Sequence, residues 1–261
     1  MKAQSFKDWT KKTYVEYGES VFSLLTVPPE VYQRTSEQVE FIDRVLKRSH
    51  PNAERLLDIP CGDGRISLGL LEKGYEITGV DISPSYIEKA QSTVAPDQRE
   101  RFLVGDMRKI RFDEKFDAVI NWYGSFGYFD DRTNERVLQK FIDFLDKNGL
   151  LMIDQANRDY IIQKMGGFYE WHPEIVIREK KRKLFAQYRF DPLTNRIKAE
   201  VKIENKRGKI YYEMRYYQLH EIVAMLKKRN MKIVDVYGDY RGSKYSLFSP
   251  RIIVVACKKD E

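Results

Sequence analysis

The sequence has few of the residues that build metal centres or disulfide frameworks. It contains two cysteines, Cys61 and Cys257, and three histidines in 261 residues, and no C-x-x-C pair. So few thiol and imidazole groups argue against a zinc site and against a disulfide-stabilised extracellular domain. We therefore expect no metal site and a cytoplasmic location, where thiols stay reduced.

Long apolar runs are also missing. No apolar stretch reaches the roughly 18 residues that a membrane-spanning helix needs, and the charged start Met1-Lys2-Ala3-Gln4 does not resemble a secretory signal. We find no internal repeat, low-complexity tract or flexible linker in the sequence. We therefore expect no membrane partner, and one large domain with an insertion, for which a hydrophobic content of 42% supplies the core.

The net positive charge of the chain is confined to one segment. Residues 171–216 contain 13 lysines and arginines against 6 acidic residues, whereas the rest of the chain contains 33 of each. A nucleic-acid surface extending over the whole chain is therefore not expected. We interpret the basic run at 178–183 as a solvated turn that protects the edge of a sheet, with contact to a polyanion as the alternative.

A glycine-rich turn between two buried strands is the feature around which the chain is organised. Residues 53–59 form a short strand, which leads into Pro60-Cys61-Gly62-Asp63-Gly64 and then into a helix over about 65–73. Residues 75–80 form a second strand that ends in Asp81. The pattern predicts a βαβ unit with a glycine turn at the end of one strand and an acid at the end of the next.

The residue types of this unit indicate a nucleoside-type cofactor. Gly62 and Gly64 have no Cβ atom, so a ligand can approach the backbone, and the N–H groups that begin the following helix are expected to face it. Asp81 can accept hydrogen bonds from both hydroxyls of a ribose. A dinucleotide-binding turn would have glycine or alanine where this chain has Ser67, which weakens a nicotinamide-cofactor interpretation.

The segment Asp58-Ile59-Pro60-Cys61-Gly62-Asp63-Gly64 resembles motif I of the class I S-adenosylmethionine-dependent methyltransferases. Asp81, the strand-end Gly105-Asp106-Met107 and the aromatic loop at 121–128 follow in the order that this family shows. The resemblance implies S-adenosyl-L-methionine as the cofactor and a bond from Asp106 to the adenine amino group. The cofactor-binding residues that it implies are Tyr17, Asp58, Pro60, Cys61, Gly62, Gly64, Asp81, Ile82, Gly105, Asp106, Met107, Asn121 and Trp122.

The remaining patterns complete an α/β fold. Further strands are predicted at 101–104, 116–120, 150–154, 232–236 and 252–256. Along 197–204, apolar residues alternate with lysine and glutamate, which predicts a strand with one solvated face. We expect a Rossmann-like seven-stranded methyltransferase sheet with an inserted antiparallel sheet of about four strands after strand five. The expected domains are an N-terminal helical lid at 1–34, the cofactor-binding core at 35–170, the inserted sheet at 171–216 and the C-terminal part of the core at 217–261.

The inserted sheet is similar to that of the branch that contains glycine and amino-sugar N-methyltransferases. This resemblance implies methyl transfer to a small-molecule acceptor, with an amine as the expected group. Base-directed amino-methylating enzymes carry two prolines in the loop after strand four, and this chain has neither. His172 is interpreted as a strand-start residue before Pro173 rather than as a base. The candidates for the acceptor side are Tyr14, Asn121, Tyr123, Asn157 and Tyr240, with Tyr14 and Tyr17 on one face of the lid helix.

Two other functions remain open at this point. An RNA methyltransferase is supported by the sequence pI of about 9.1 and by the basic run. A non-catalytic protein that binds the cofactor would share the same glycine turn. The sequence determines neither the identity of the acceptor nor the oligomeric state.

Overall fold

The computed structural model describes residues 29–172, 174–177, 180–205 and 209–258. Tyr14, Tyr17 and the part of the expected lid before Pro29 lie outside these residues. Within the described part of the chain, no helix is long and apolar enough to cross a membrane. The same residues contain no group of three or more His, Cys, Asp and Glu side chains that is placed to hold a metal ion.

Helices and strands alternate along the first half of the described chain. The elements are α1 (Pro29–Gln33), α2 (Thr35–Ser49), β1 (Arg55–Asp58), α3 (Arg65–Glu72), β2 (Glu76–Asp81), α4 (Pro84–Thr93), a 3₁₀ helix (Pro96–Arg101), β3 (Phe102–Val104), β4 (Phe116–Asn121), α5 (Asp131–Phe144) and β5 (Leu145–Ala156). A helix and five consecutive strands follow, and then a helix and two more strands. These are α6 (Arg158–Met165), β6 (Phe168–Trp171), β7 (Glu174–Ile177), β8 (Lys180–Asp191), β9 (Arg196–Ile203), β10 (Ile210–Arg215), α7 (Leu219–Lys227), β11 (Met231–Tyr237) and β12 (Arg251–Lys258).

The main sheet has seven strands in the order β11-β12-β5-β4-β1-β2-β3. Strand β1 pairs in parallel with both β2 and β4, whereas β12 is antiparallel to β5 and β11. The predicted fold is therefore confirmed, and its last two strands, β11 and β12, form an antiparallel hairpin. Because the chain moves outward from β1 in both directions, a crevice opens at the carboxyl ends of β1 and β4, where ligands bind in such sheets.

Both faces of the main sheet are covered, which explains the continuous apolar runs in its strands. On one face, Phe41 and Leu46 of α2 belong to the same buried cluster as Leu56 of β1. On the other face, Phe141 of α5 and Ile222 of α7 belong to a second buried cluster. The two layers fix the strands in place, so the residues at the strand ends have defined positions.

The second sheet is antiparallel and follows β5, as expected. Its strand order is β10-β9-β8-β6, and β7 pairs with β8. The sheet begins at Phe168, earlier than the expected boundary at 171, because α6 is short. The alternation at 197–204 is confirmed, since Ile197, Ala199, Val201 and Ile203 are buried and Lys198 and Lys202 are exposed.

The second sheet contacts the loop that follows β4. The backbone N–H of Arg215, at the end of β10, donates a hydrogen bond of 2.9 Å to the carbonyl oxygen of Gly127. Gly127 has φ +116°, and a Cβ atom there would lie 2.1 Å from the carbonyl oxygen of Arg215. Only glycine permits this approach, which brings the second sheet to the carboxyl end of the main sheet.

Candidate functional site

The two glycines of the turn after β1 serve different purposes. Both have positive φ, +58° at Gly62 and +83° at Gly64. A Cβ atom on Gly62 would meet nothing within 4 Å, whereas one on Gly64 would lie 3.0 Å from the Cβ of Ala90 in α4. Gly62 therefore leaves space for a ligand, and Gly64 permits close packing against α4 where α3 begins.

A cavity of about 990 Å³, its open mouth included, lies over this turn. Its walls come from the carboxyl ends of β1, β2 and β4 and from the loop after β3, which is the location expected for a ligand in this fold. The predicted residues that line it are Asp58, Pro60, Cys61, Gly62, Asp81, Ile82, Gly105, Asp106, Met107, Trp122 and Tyr123. Residues that are far apart in the sequence are thus brought together at one site.

Several lining residues were not predicted from the sequence. They are Tyr32, Ile59, Asp63, Arg65, Ile66, Val80, Tyr86, Ser125, Tyr128 and Phe129. Tyr128 belongs to the aromatic loop that the sequence already indicated, and Phe129 directly follows it. Tyr32 is different, because its hydroxyl group reaches the carboxylate of Asp63 at 2.7 Å across 31 positions of sequence. No local pattern indicates such a contact.

Four predicted site residues do not line the cavity. Gly64 packs against α4, as described above. Asn121 donates a 2.7 Å hydrogen bond to the carbonyl oxygen of Ile59 and so ties β4 to the glycine turn. The Asn157 amide donates to the carbonyl oxygens of Leu247 and Ser249, at 3.1 and 2.8 Å. Tyr240 donates to Asp154 at 2.9 Å and packs on Trp122 with 5.8 Å between ring centroids.

Asp81 is held by the backbone on both of its oxygens. Oδ2 accepts from the N–H of Gly62 and Oδ1 from the N–H of Ser83, each at 2.9 Å. The N–H of Gly62 is therefore engaged by Asp81, and this bond does not involve the N–H groups at the start of α3 that are expected to face the ligand. Each carboxylate oxygen keeps a second lone pair, so Asp81 can still accept from ribose hydroxyls. Burial raises the pKa of Asp81 to about 6.

Asp58 is more deeply buried than Asp81, at 1% exposure. Its Oδ2 accepts a 2.6 Å hydrogen bond from the hydroxyl group of Ser67. Burial raises the pKa of Asp58 to about 7, and the charge of Asp81 adds to the increase against the opposing effects of Ser67 and Arg65. A cationic ligand beside these two carboxyl groups would favour their ionised forms, so the cavity suits a ligand that carries positive charge.

Asp106 is engaged within its own turn. Its two oxygens accept from Arg108 at 2.9 Å (Nε) and 2.6 Å (Nη2). Burial opposes ionisation, but the hydrogen bonds from Arg108 lower the pKa of Asp106. Each oxygen of Asp106 has a further lone pair, which could accept a hydrogen bond from an adenine amino group. This contact with adenine stays a proposal.

The lining residues fit S-adenosyl-L-methionine. Gly62 leaves open space beside the backbone, Asp81 offers acceptors for ribose hydroxyls, and Ile82, Met107 and Trp122 provide apolar surface for a base. When bound, this cofactor supplies a methyl group that its sulfonium centre has already activated.

Comparisons with known proteins agree with this geometry. Residues 56–149 match the sequence profile of Methyltransf_25, described as "Methyltransferase domain". The "Putative methyltransferase YqeM" of Bacillus subtilis (strain 168) is 39% identical over 113 residues, 42% of this chain and 45% of that protein. The "Glycine/sarcosine N-methyltransferase" of Aphanothece halophytica is 28% identical over 235 residues, 88% of this chain and 84% of that protein. The chain thus covers less than half of the first relative and most of the second.

Two solved structures share the fold. An S-adenosylmethionine-dependent methyltransferase from Clostridium acetobutylicum ATCC 824 has a TM-score of 0.74 at 17% identity and covers 92% of this chain and 97% of its own. The sugar N-methyltransferase KedS8 from Streptoalloteichus sp ATCC 53650 has a TM-score of 0.67 at 19% identity, with 94% and 96% covered. The motif order, the cavity and the profile match together show that residues 56–149 form a methyltransferase domain, in a chain with the fold of the S-adenosylmethionine-dependent methyltransferases.

Proposed function

We propose that this methyltransferase transfers the methyl group to the nitrogen of a small-molecule amine. The observation that carries the proposal is the similarity to the Aphanothece halophytica protein, which extends over 88% of this chain. That similarity is long enough to include both the cofactor-binding part and most of the second sheet. The acceptor named for that relative is glycine or sarcosine, and for this chain the acceptor class is our inference.

The wall of the cavity beside the second sheet supports a small acceptor. Tyr123, Ser125 and Tyr128 line the cavity from the loop after β4. The same loop contacts β10 through Gly127 and Arg215, and a Cβ on Gly124 would lie 3.8 Å from Met214. The second sheet therefore packs against the loop that forms this wall, and the cavity beside it is of a size that suits a compact acceptor.

The chain's own groups favour catalysis by positioning. The described residues that line the cavity include no histidine. Burial raises the pKa of the Tyr123 phenol, although the charges of Arg251 and Arg65 oppose the increase, so this hydroxyl group is a hydrogen-bond donor at neutral pH rather than a base. The acceptor amine then arrives neutral or loses its proton to a nearby group, and the protein aligns it with the methyl group and excludes water. Tyr14 and Tyr17 remain proposed contributors from the lid.

The charges of the second sheet argue against a polyanionic acceptor. Lys198 pairs with Asp191 at 2.8 Å, and Lys209 pairs with Glu200. Basic side chains that alternate and pair with acidic ones give a surface of mixed sign, which binds phosphate chains poorly. We therefore retain an RNA methyltransferase only as an outcome of the test.

The test supplies radiolabelled S-adenosylmethionine with a panel of amines (glycine, sarcosine, amino sugars and polyamines) and, separately, with total RNA. We expect label in one small amine, and no incorporation with Asp81→Ala. Label in RNA alone would overturn the proposal. Calorimetry with S-adenosylhomocysteine completes the experiment, because binding without transfer to any acceptor would favour a non-catalytic protein.

A further inference from the structure

The backbone of Tyr123 has an unusual conformation. Its φ is +58°, in the left-handed region, and the other non-glycine residues with positive φ in the described part of the chain are all asparagines. Asparagine tolerates this region, but a bulky aromatic residue adopts it only where neighbouring groups hold it there. Tyr123 also lines the cavity, so the strained residue lies at the functional site.

The group that holds this turn is Asp154, near the end of β5. Its Oδ2 accepts a 3.0 Å hydrogen bond from the N–H of Tyr123, and its backbone carbonyl oxygen accepts one of 2.8 Å from the N–H of Gly124. Asp154 is completely buried and does not line the cavity. Its contacts with two successive backbone groups fix the direction in which the Tyr123 ring projects.

Asp154 is itself fixed from the far end of the chain. Arg251 of β12 donates to both carboxylate oxygens, from Nε at 2.8 Å and from Nη2 at 2.7 Å. The hydroxyl group of Tyr240 donates a third bond, of 2.9 Å, to Oδ2. Two charge-assisted bonds from Arg251 and one neutral bond from Tyr240 hold this buried carboxylate in a single orientation.

The same arginine acts directly on the tyrosine ring. The Arg251 guanidinium carbon lies 5.1 Å from the centroid of the Tyr123 ring, and that of Arg65, which lines the cavity, lies 5.2 Å from it. Both distances fall within the range of cation–π attraction. The ring is therefore fixed through its backbone by Asp154 and through its face by the two guanidinium groups.

We propose that Asp154 is a positioning residue of this methyltransferase, which holds the strained turn at Tyr123 so that the Tyr123 ring orients the acceptor. Asp154 acts through Tyr123 and contacts neither substrate. The inference rests on the proposed acceptor side of the cavity. It assigns a function to a buried ion pair whose partners are 97 positions apart in sequence.

The test compares Asp154→Asn with a matched control, Asp117→Asn. Like Asp154, Asp117 at the start of β4 accepts backbone N–H bonds on its carboxylate and does not line the cavity, but its donors are Glu54 and Arg55, away from Tyr123. With 3-fluorotyrosine incorporated, the ¹⁹F signal of Tyr123 is identified by its loss in Tyr123→Phe. We expect this signal to shift or broaden in Asp154→Asn and to stay unchanged in Asp117→Asn.

Steady-state kinetics supply the second readout, with glycine as the first acceptor probe and then the other amines of the panel. In Asp154→Asn we expect the Kd of S-adenosylhomocysteine to stay within about threefold, while kcat/KM for the acceptor falls about tenfold or more. An unchanged ¹⁹F signal, or an equal loss of cofactor affinity, would overturn the proposal. If no amine is methylated by the wild-type protein, the proposed function fails and the ¹⁹F comparison still decides the role of Asp154.

Removing one partner of a buried ion pair can prevent folding. Should Asp154→Asn not fold, the double variant Asp154→Asn/Arg251→Gln removes the guanidinium charge together with the carboxylate. The same two readouts then apply, with the same expected results. A normal Tyr123 signal and normal kcat/KM in that variant would show that the pair has only a structural role.

Discussion

At the scale of single residues, buried carboxyl groups distinguish the cavity. Asp58 accepts from Ser67 and Asp81 accepts from two backbone N–H groups, so both carboxyl groups are held by neutral donors. Their pKa values are raised to about 7 and about 6, mainly by burial. Burial therefore makes ionisation of these two carboxyl groups unfavourable in the ligand-free protein, and a positively charged ligand nearby would favour it.

This desolvation predicts a pH dependence that Asp58→Asn should remove. The folded pKa of about 7 lies above the unfolded value, so the folded state holds an extra proton between roughly pH 4 and pH 7 and loses stability as the pH rises through that window. Between pH 5 and pH 8 we expect the free energy of unfolding of Asp58→Asn to increase relative to wild type by about 2–3 kcal/mol. Urea denaturation of the ligand-free proteins at both pH values measures it. Parallel curves would show that Asp58 is ionised throughout.

The glycine turn provides a second prediction at this scale. Gly62 and Gly74 both have positive φ and open space at the Cβ position, but Gly74 follows the end of α3, away from the cavity. Valine at either position should cost roughly 1–2 kcal/mol of stability through backbone strain. Only Gly62→Val should weaken S-adenosylhomocysteine binding, by about tenfold or more, because its side chain occupies ligand space. Equal affinities of the two variants in calorimetry would mean that the turn is only structural.

At the scale of elements, the join between the second sheet and the loop after β4 shapes the acceptor side. Arg196 of β9 donates to the carbonyl oxygen of Phe129 at 2.8 Å and pairs with Asp131 at the start of α5 at 3.2 Å. Arg215 of β10 pairs with Glu221 of α7. Both arginine side chains are buried, so these contacts connect the inserted strands firmly to the core.

At Gly127 the backbone of the loop after β4 comes very close to the backbone of β10. Gly127→Ala would place a Cβ 2.1 Å from the carbonyl oxygen of Arg215, whereas Gly124→Ala, with similar strain at φ +83°, meets only Met214 at 3.8 Å. We expect Gly127→Ala to lose about 2–4 kcal/mol, because backbone must move, and Gly124→Ala to lose about 1–2 kcal/mol. Urea denaturation compares the two variants. Equal losses would show that the loop and the sheet separate easily.

At the scale of the whole molecule, the charge distribution distinguishes a small acceptor from RNA. The positive excess lies in residues 171–216, and the remaining chain is neutral. In the described part of this segment, several basic side chains pair with acidic ones. The net charge of +7 therefore does not correspond to a continuous basic surface.

Replacing Lys180, Lys181 and Lys183 by glutamine tests this interpretation. For a small acceptor, turnover should stay within a few-fold, because exposed charges such as those of Lys181 and Lys183 contribute little. The control variant replaces the exposed residues Lys227, Lys228 and Lys232 and loses the same charge. If RNA were the substrate, the first variant alone should flatten the log–log salt dependence of binding by about two to three units. That result, together with lost activity, would favour the RNA methyltransferase.

The order of the elements and the cofactor end of the site could be predicted from local sequence patterns. The strand, turn and strand from Leu56 to Asp81 are specified by local apolar runs and by glycines, and neighbouring parallel strands necessarily bring their carboxyl ends together. Residues at the end of a strand or within three positions after it, such as Asp58, Met107 and Tyr123, could therefore be placed at the cavity. The alternation at 197–204 likewise specifies a half-buried strand without reference to the rest of the chain.

Which side chains face the cavity, and which contacts hold them there, depends on long-range packing that local patterns do not specify. Asn157 and Tyr240 follow strands near the site. Their side chains nevertheless donate hydrogen bonds to residues distant in sequence and do not face the cavity. Tyr32 and Asp63, or Asp154 and Arg251, meet across long stretches of sequence because the packed layers bring their elements together. Such contacts depend on side-chain direction and on the register of the whole sheet, and neither is encoded in a local pattern.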